Sequence, residues 1–250
     1  MYIALITGLG VGSATVLGAV IGLFLKKIPH KFNDIILSFA AGVMLAAAVV
    51  GLILPSVDEN NVHSIWITAI GVICGAFFLN IVNKFTPHMH TIVGLDKNNP
   101  TKETNAMLLF ILAIAIHNFP EGIAAGVSFG SENINNAISV SVGIALQNIP
   151  EGMIVIVPMI SAGIKPMRAF LIAAFTGVIE VVGTMTGYFA VSVSTVILPF
   201  ALAFAGGTML YIISDEMIPE THSHGYEHSA TYSLLIGFIV MLIINNYIII

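Results

Sequence analysis

Residues 116–122 read Ile116-His117-Asn118-Phe119-Pro120-Glu121-Gly122, and thirty residues further on 146–152 read Leu146-Gln147-Asn148-Ile149-Pro150-Glu151-Gly152. The two segments are copies of one pattern, and each lies in the middle of a long apolar run. A polar side chain, a proline and a carboxylate recur together where an ordinary buried helix carries none of them. The rest of the chain decides what such runs are. Of its 250 residues 57% are apolar and only 8% are Asp, Glu, Lys or Arg, and the mean hydropathy is +1.00. A soluble domain has about 25% charged residues. With 13 acidic and 8 basic side chains there is too little charge to cover a surface in water. The composition describes an all-α polytopic membrane protein.

Apolar windows of about 20 residues mark eight transmembrane helices at 2–25, 33–54, 64–85, 105–129, 135–158, 167–191, 195–214 and 231–249. The connections are short except for 86–104 and 215–230, so residues 1–250 are expected to form a single transmembrane domain. The apolar start precedes Lys26 and Lys27 without a positive n-region, which predicts a retained first span and not a cleaved leader. All eight basic residues fall on one side of this arrangement: Lys26, Lys27 and Lys31, then Lys84, Lys97 and Lys102, then Lys165 and Arg168. The positive-inside rule makes that side the cytoplasm. Both termini are then extracytoplasmic, and the acidic 215–230 loop is cytoplasmic. The expected location is the cell membrane, with multiple passes through the lipid bilayer.

Several functions are excluded at once. Eight Lys and Arg make no basic face for nucleic acid, and the single cysteine, Cys74, permits neither an internal disulfide nor a cysteine metal cluster. No Gly-x-x-x-x-Gly-Lys-Ser/Thr is present to cradle a nucleotide. Gly8-Leu9-Gly10-Val11-Gly12 sits inside a span with no preceding strand, so it is not a dinucleotide loop. Together with Gly18/Gly22, Gly71/Gly75, Gly122/Gly126 and Gly183/Gly187, the Gly8/Gly12 pair predicts close seams between helices.

The ionisable groups within spans carry the chemistry. His117 and Glu121 lie in the fourth, Glu151 in the fifth and Glu180 in the sixth, all near the bilayer midplane. A carboxylate at that depth costs on the order of 3 kcal/mol. Every Lys and Arg belongs to a loop or a span end, so the three carboxylates either carry protons or hold a bound cation. The neighbours favour the cation. His117 and Glu121 share a helix face at i, i+4, Gln147 and Glu151 repeat that spacing, and Asn118 and Asn148 add amide oxygens. Imidazole, carboxylate and amide at one depth make a mixed N/O shell for a divalent transition ion. Each mid-span proline also frees the carbonyl four residues earlier, at Ile116 or Leu146.

On these residues the chain resembles the ZIP (Zrt-, Irt-like protein) family of divalent-metal transporters, in its bacterial GufA-like branch. HNFPEG and QNIPEG carry the resemblance. The Glu180 helix, Met44 in the second span and the stretch DEMIPETHSHGYEH after the seventh extend it over essentially the whole chain. It implies eight helices with both termini outside, and uptake of Zn²⁺ or a related ion such as Fe²⁺, Mn²⁺, Cd²⁺ or Co²⁺ toward the cytoplasm. It further implies a two-metal site: one ion among His117, Glu121, Gln147, Glu151, Glu180 and Met44, a second among Asn118, Asn148 and the shared glutamates. Many relatives have His where this chain has Gln147, and some have Asp where it has Asn148. Three carboxylates supply −3 against +4 for two ions, so a full site needs a further anion. The resemblance also suggests alternating access by one helix group moving against another.

Asp215 and Glu216 read either as helix-end carboxylates or, with Glu220, His222, His224 and His228 close behind, as part of an exit or regulatory metal site on the cytoplasmic side. His88 and His90 form a short patch in the other cytoplasmic loop, either for metal capture or without a role. His30 and His63 read as interfacial residues, and Met44 reads equally well as packing. The metal is cargo and not a cofactor, and a homodimer is compatible with the sequence. Two rivals stand beside a metal carrier. One is a membrane metallohydrolase, disfavoured because no His-Glu-x-x-His helix is present, so the chain is read as no enzyme. The other is a proton or organic-ion carrier.

Overall fold

The computed structural model describes residues 1–25, 28–57, 64–85, 116–130, 133–161 and 163–249, and every regular element among them is helical. Helix α1 spans Tyr2–Leu23. Helix α2 starts at His30–Ala46 and continues through a widened π-helical stretch, Ala47–Ile53, to a tight last turn at Leu54–Ser56. Then come α3 (Ser64–Phe85), α4 (described over 116–128), α5 (Ile134–Ser161) and α6 (Pro166–Val193). Helix α7 covers Leu198–Ile212 and continues through a π-helical turn, Ile213–Met217, into Ile218–Thr221. Helix α8 is Glu227–Ile249.

Among the described residues seven helices are long and apolar enough to cross a membrane. Only part of the fourth expected span, α4, falls within them, while residues 86–104, with His88 and His90, lie outside. At 28 residues, α5 extends about 42 Å, more than the roughly 30 Å hydrocarbon core. Wide apolar faces such as Ile65, Trp66, Ile70, Ile73 and Phe77 of α3 are exposed, as lipid-facing helices require.

One expectation is corrected. The seventh span does not stop at residue 214: the helix runs on to Thr221, so Asp215, Glu216 and Glu220 are on a helix and not in a loop. Hydropathy falls there because these side chains line an internal cavity, and a hydropathy window cannot tell an acidic cavity wall from a loop. Nor does either mid-span proline end its helix; α5 runs unbroken through Pro150.

The helices pack in two sets. Helix α1 lies against α5 and α6, and α4 joins them through α6. In the other set α2 packs on α8 and α3 on α7, with α2 and α5 meeting between the sets. Apolar side chains gain little over lipid tails, so these seams depend on close backbone approach. Reciprocal glycines supply it. A Cβ on Gly12 would stand 2.3 Å from the Gly177 carbonyl oxygen and one on Gly177 2.5 Å from that of Gly12. Gly18 and Gly152 join α1 to α5, Gly42 and Gly237 join α2 to α8, and Gly75 and Gly207 join α3 to α7 in the same way. Each glycine of the five predicted pairs faces a neighbouring helix, Gly8 against the Thr184 side chain and the others within reach of backbone atoms.

Candidate metal centre

The glycine that closes each copy of the doubled motif fixes the carboxylate before it. A Cβ on Gly122 would stand 2.2 Å from the carbonyl oxygen of Glu180, and one on Gly152 would stand 2.2 Å from that of Thr15. Helix α4 is therefore held against α6 beside Glu121, and α5 against α1 beside Glu151. Both line a cavity of about 390 Å³, shared with Thr15, His117, Asn118, Asp215, Glu216 and Glu220. Ile154, Val155 and Ile212 form part of its apolar wall.

Glu180 is fully buried beside this cavity. Its Oε1 accepts hydrogen bonds from the Thr15 hydroxyl at 2.9 Å and from the Asn118 amide. Its Oε2 accepts one from Asn148 Nδ2 at 2.8 Å, and the same amide reaches the Val11 carbonyl at 3.3 Å. Four helices thus meet on one carboxylate. Both asparagines offer nitrogen to Glu180, which leaves Asn148 Oδ1 turned elsewhere. That oxygen, Glu121 Oε2 and both polar atoms of Gln147 are buried without a hydrogen-bond partner among the described residues. Gln147 lies against Glu121 without reaching hydrogen-bonding geometry. Orphaned polar atoms in low dielectric are costly, and here they cluster on the residues whose chemistry suits a cation.

On the other side of the cavity His117 Nε2 lies 2.8 Å from Glu216 Oε1, which also accepts a hydrogen bond from Asn83 Nδ2 at 2.7 Å. The π-helical turn places Glu216 there, tying α7 to α3 and α4. Asp215 is exposed and Glu216 partly buried. No group of three His, Cys, Asp or Glu side chains among the described residues stands at metal-binding distances.

The structure thus brings His117, Asn118, Glu121, Glu151 and Glu180 together with Asn148 and Gln147. Met44 is fully buried in the apolar core and does not line the cavity. Past the end of α7, His222 has its ring nitrogens near the Ile218 carbonyl (2.9 Å) and the Thr231 hydroxyl (3.1 Å). His224 pairs with Asp34, and His228 is exposed in the first turn of α8. Sequence reasoning missed Thr15, Asn83 and Asp34. Asp34 had a signal, an acid just inside the second expected span. Thr15 had none, because an intramembrane threonine ordinarily bonds back to its own helix.

Carboxylates and amides converging in the interior of a helical membrane bundle define a polytopic membrane protein with a polar core for a small solute. The family model for ZIP zinc transporters matches residues 96–245. The chain is 38% identical to the zinc transporter GufA of Myxococcus xanthus, over 98% of each chain. It is 34% identical to the zinc transporter ZIPB of Bordetella bronchiseptica, over 94% of this chain and 77% of that one. To the zinc transporter ZupT of Chlorobaculum parvum it is 32% identical, over 92% and 91%. The chain belongs to the ZIP zinc transporter family, in its bacterial GufA-like branch, and is a membrane transporter and not an enzyme.

Proposed function

We propose that this protein carries a divalent transition metal ion, Zn²⁺ first among them, across the cell membrane into the cytoplasm, with residues 1–250 acting as one transmembrane domain. The observation that carries this reading is the group of interior carboxylates Glu121, Glu151 and Glu180, with orphaned amide and carboxylate oxygens beside them. The described Lys and Arg residues, Lys31, Lys84, Lys165 and Arg168, are at helix ends or in loops. The neutralising charge is then the cargo's.

His117 offers a nitrogen, the glutamates offer charge, and Gln147, Asn118 and Asn148 offer neutral oxygens in a binuclear arrangement between α4, α5 and α6. Amides in place of imidazole or carboxylate weaken the hold, which suits a site that must release its ion. Met44 adds a soft sulfur only if α2 moves toward the site. Asn83 touches Glu216 and Asp34 touches His224, so the acidic end of α7 shares a side with Lys84 and Lys31. By the positive-inside rule that side is cytoplasmic, which leaves both termini outside. The ion exits past Glu216, Asp215 and Glu220 toward the histidines beyond α7. Most of the proposed ligands ride on the set α1, α4, α5 and α6, so displacement of that set against the other is the natural route to alternating access.

Zinc flux into proteoliposomes tests the assignment. Glu121→Ala and His117→Ala are expected to abolish uptake while the purified proteins remain folded and monodisperse. Wild-type rates in both would overturn it. Transport that persists after chelation of divalent ions would favour a proton or organic-ion carrier.

A further inference from the structure

Where α2 begins, a second group of side chains has no part in the cavity. His30, Asp34 and Ser38 are spaced i, i+4, i+8 and so share one face of α2. Asp34 is fully buried. Its Oδ1 lies 3.0 Å from Nδ1 of His224, in the connection after α7. Among the described residues its Oδ2 has no hydrogen-bond partner, and neither has the fully buried hydroxyl of Ser38 one turn on. The ring of His30 lies against that of His224, centroids 4.6 Å apart and planes tilted by 31°. None of these four residues lines the cavity.

We propose that His224 and His30 form a second divalent-metal site, held in place by Asp34. The reason is tautomeric. A carboxylate that takes the Nδ1 proton of a neutral imidazole leaves the Nε2 lone pair to a ligand, and this carboxylate–histidine pairing is the usual support behind a metal-bound histidine. Among the described residues the hydrogen-bonding contact of His224 Nε2 is the Ser223 hydroxyl, at a long 3.4 Å. The Asp34 contact at Nδ1 fixes which imidazole nitrogen stays open, and so directs His224 Nε2 toward a cation. His30 is exposed at the first residue of α2, so rotation of its side chain brings a nitrogen beside His224 Nε2. Two imidazoles with water in the remaining positions suit Zn²⁺ or Co²⁺ and hold it loosely. Asp34 is a positioning residue here, and the two histidines are the ligands.

Co²⁺ titration of the purified full-length protein, read by visible absorption and equilibrium dialysis, tests this. Wild type is expected to bind one equivalent more than His224→Ala or His30→Ala. Asp34→Asn should keep that equivalent with affinity weaker by about 10- to 100-fold. Equal stoichiometry and affinity in all four proteins would overturn the proposal. Should His224→Ala lose its monodisperse profile, His30→Ala decides alone, because His30 is exposed and its ring contact among the described residues is with the His224 ring. Failure of the cavity assignment would appear separately, as wild-type zinc flux in Glu121→Ala with the Co²⁺ equivalent unchanged.

Discussion

Gly122 of α4 packs so closely on Glu180 of α6 that a methyl group on it would stand 2.2 Å from the Glu180 carbonyl oxygen. The contact is reciprocated one turn along, where a Cβ on Gly183 would stand 2.5 Å from the carbonyl of Phe119. The position after the motif glutamate is therefore a spacing element, and it sets how near Glu121 comes to Glu180. The atom met is backbone, so it cannot step aside as a flexible side chain would. Gly122→Ala is expected to lose about 1–3 kcal/mol through overpacking, read as a lower thermal midpoint in detergent. Gly10→Ala, where nothing lies within 4 Å, should leave the midpoint unchanged or slightly raised, since alanine favours the helix. Equal midpoints for both variants would mean the α4/α6 seam is not tight.

Thr15 reaches from α1 to Glu180 at 2.9 Å. Thr15→Val keeps the shape and removes one hydrogen bond to a buried carboxylate, an interaction of about 1.5–3 kcal/mol. The variant should fold, and its zinc flux should show a changed apparent KM. An unaltered KM together with an unaltered maximal rate would place Thr15 outside the site.

Glu216 Oε1 lies 2.8 Å from Nε2 of His117, one of its two ring nitrogens. If that carboxylate takes over the imidazole as the ion departs, its removal uncouples binding from release. Glu216→Ala should retain equilibrium zinc binding but transport more slowly. Loss of binding and flux together would make Glu216 a ligand of the bound state instead.

Gln147 is buried with neither polar atom paired among the described residues, which makes it the position to test with a stronger donor. Gln147→His adds an imidazole ligand that Zn²⁺ prefers to an amide oxygen. Affinity should rise on the order of tenfold, equivalent to about 1.4 kcal/mol, with slower turnover. Competition between Zn²⁺ and Mn²⁺ for uptake should shift toward Zn²⁺. No change in affinity or selectivity would show that residue 147 does not face the ion.

The apolar spans, the doubled motif, the mid-span acids and the glycine seams could all be read from the chain, because each follows from local properties: hydropathy, helical period and residue size. The far end of α7 was misjudged for the same reason. Asp215 and Glu216 lower hydropathy as loop residues do, and only their neighbours show that they face a cavity from within a helix.

What the linear order determined is that acids would lie within apolar helices and that glycines would let those helices touch. Only the tertiary structure decided which groups meet: Glu180 with Thr15, Asn118 and Asn148, His117 with Glu216, and Asp34 with a histidine 190 positions away. Such pairings depend on which helices cross, and at what height. Those are set by backbone contacts between distant glycines, and no property of a residue's own neighbourhood in sequence encodes them.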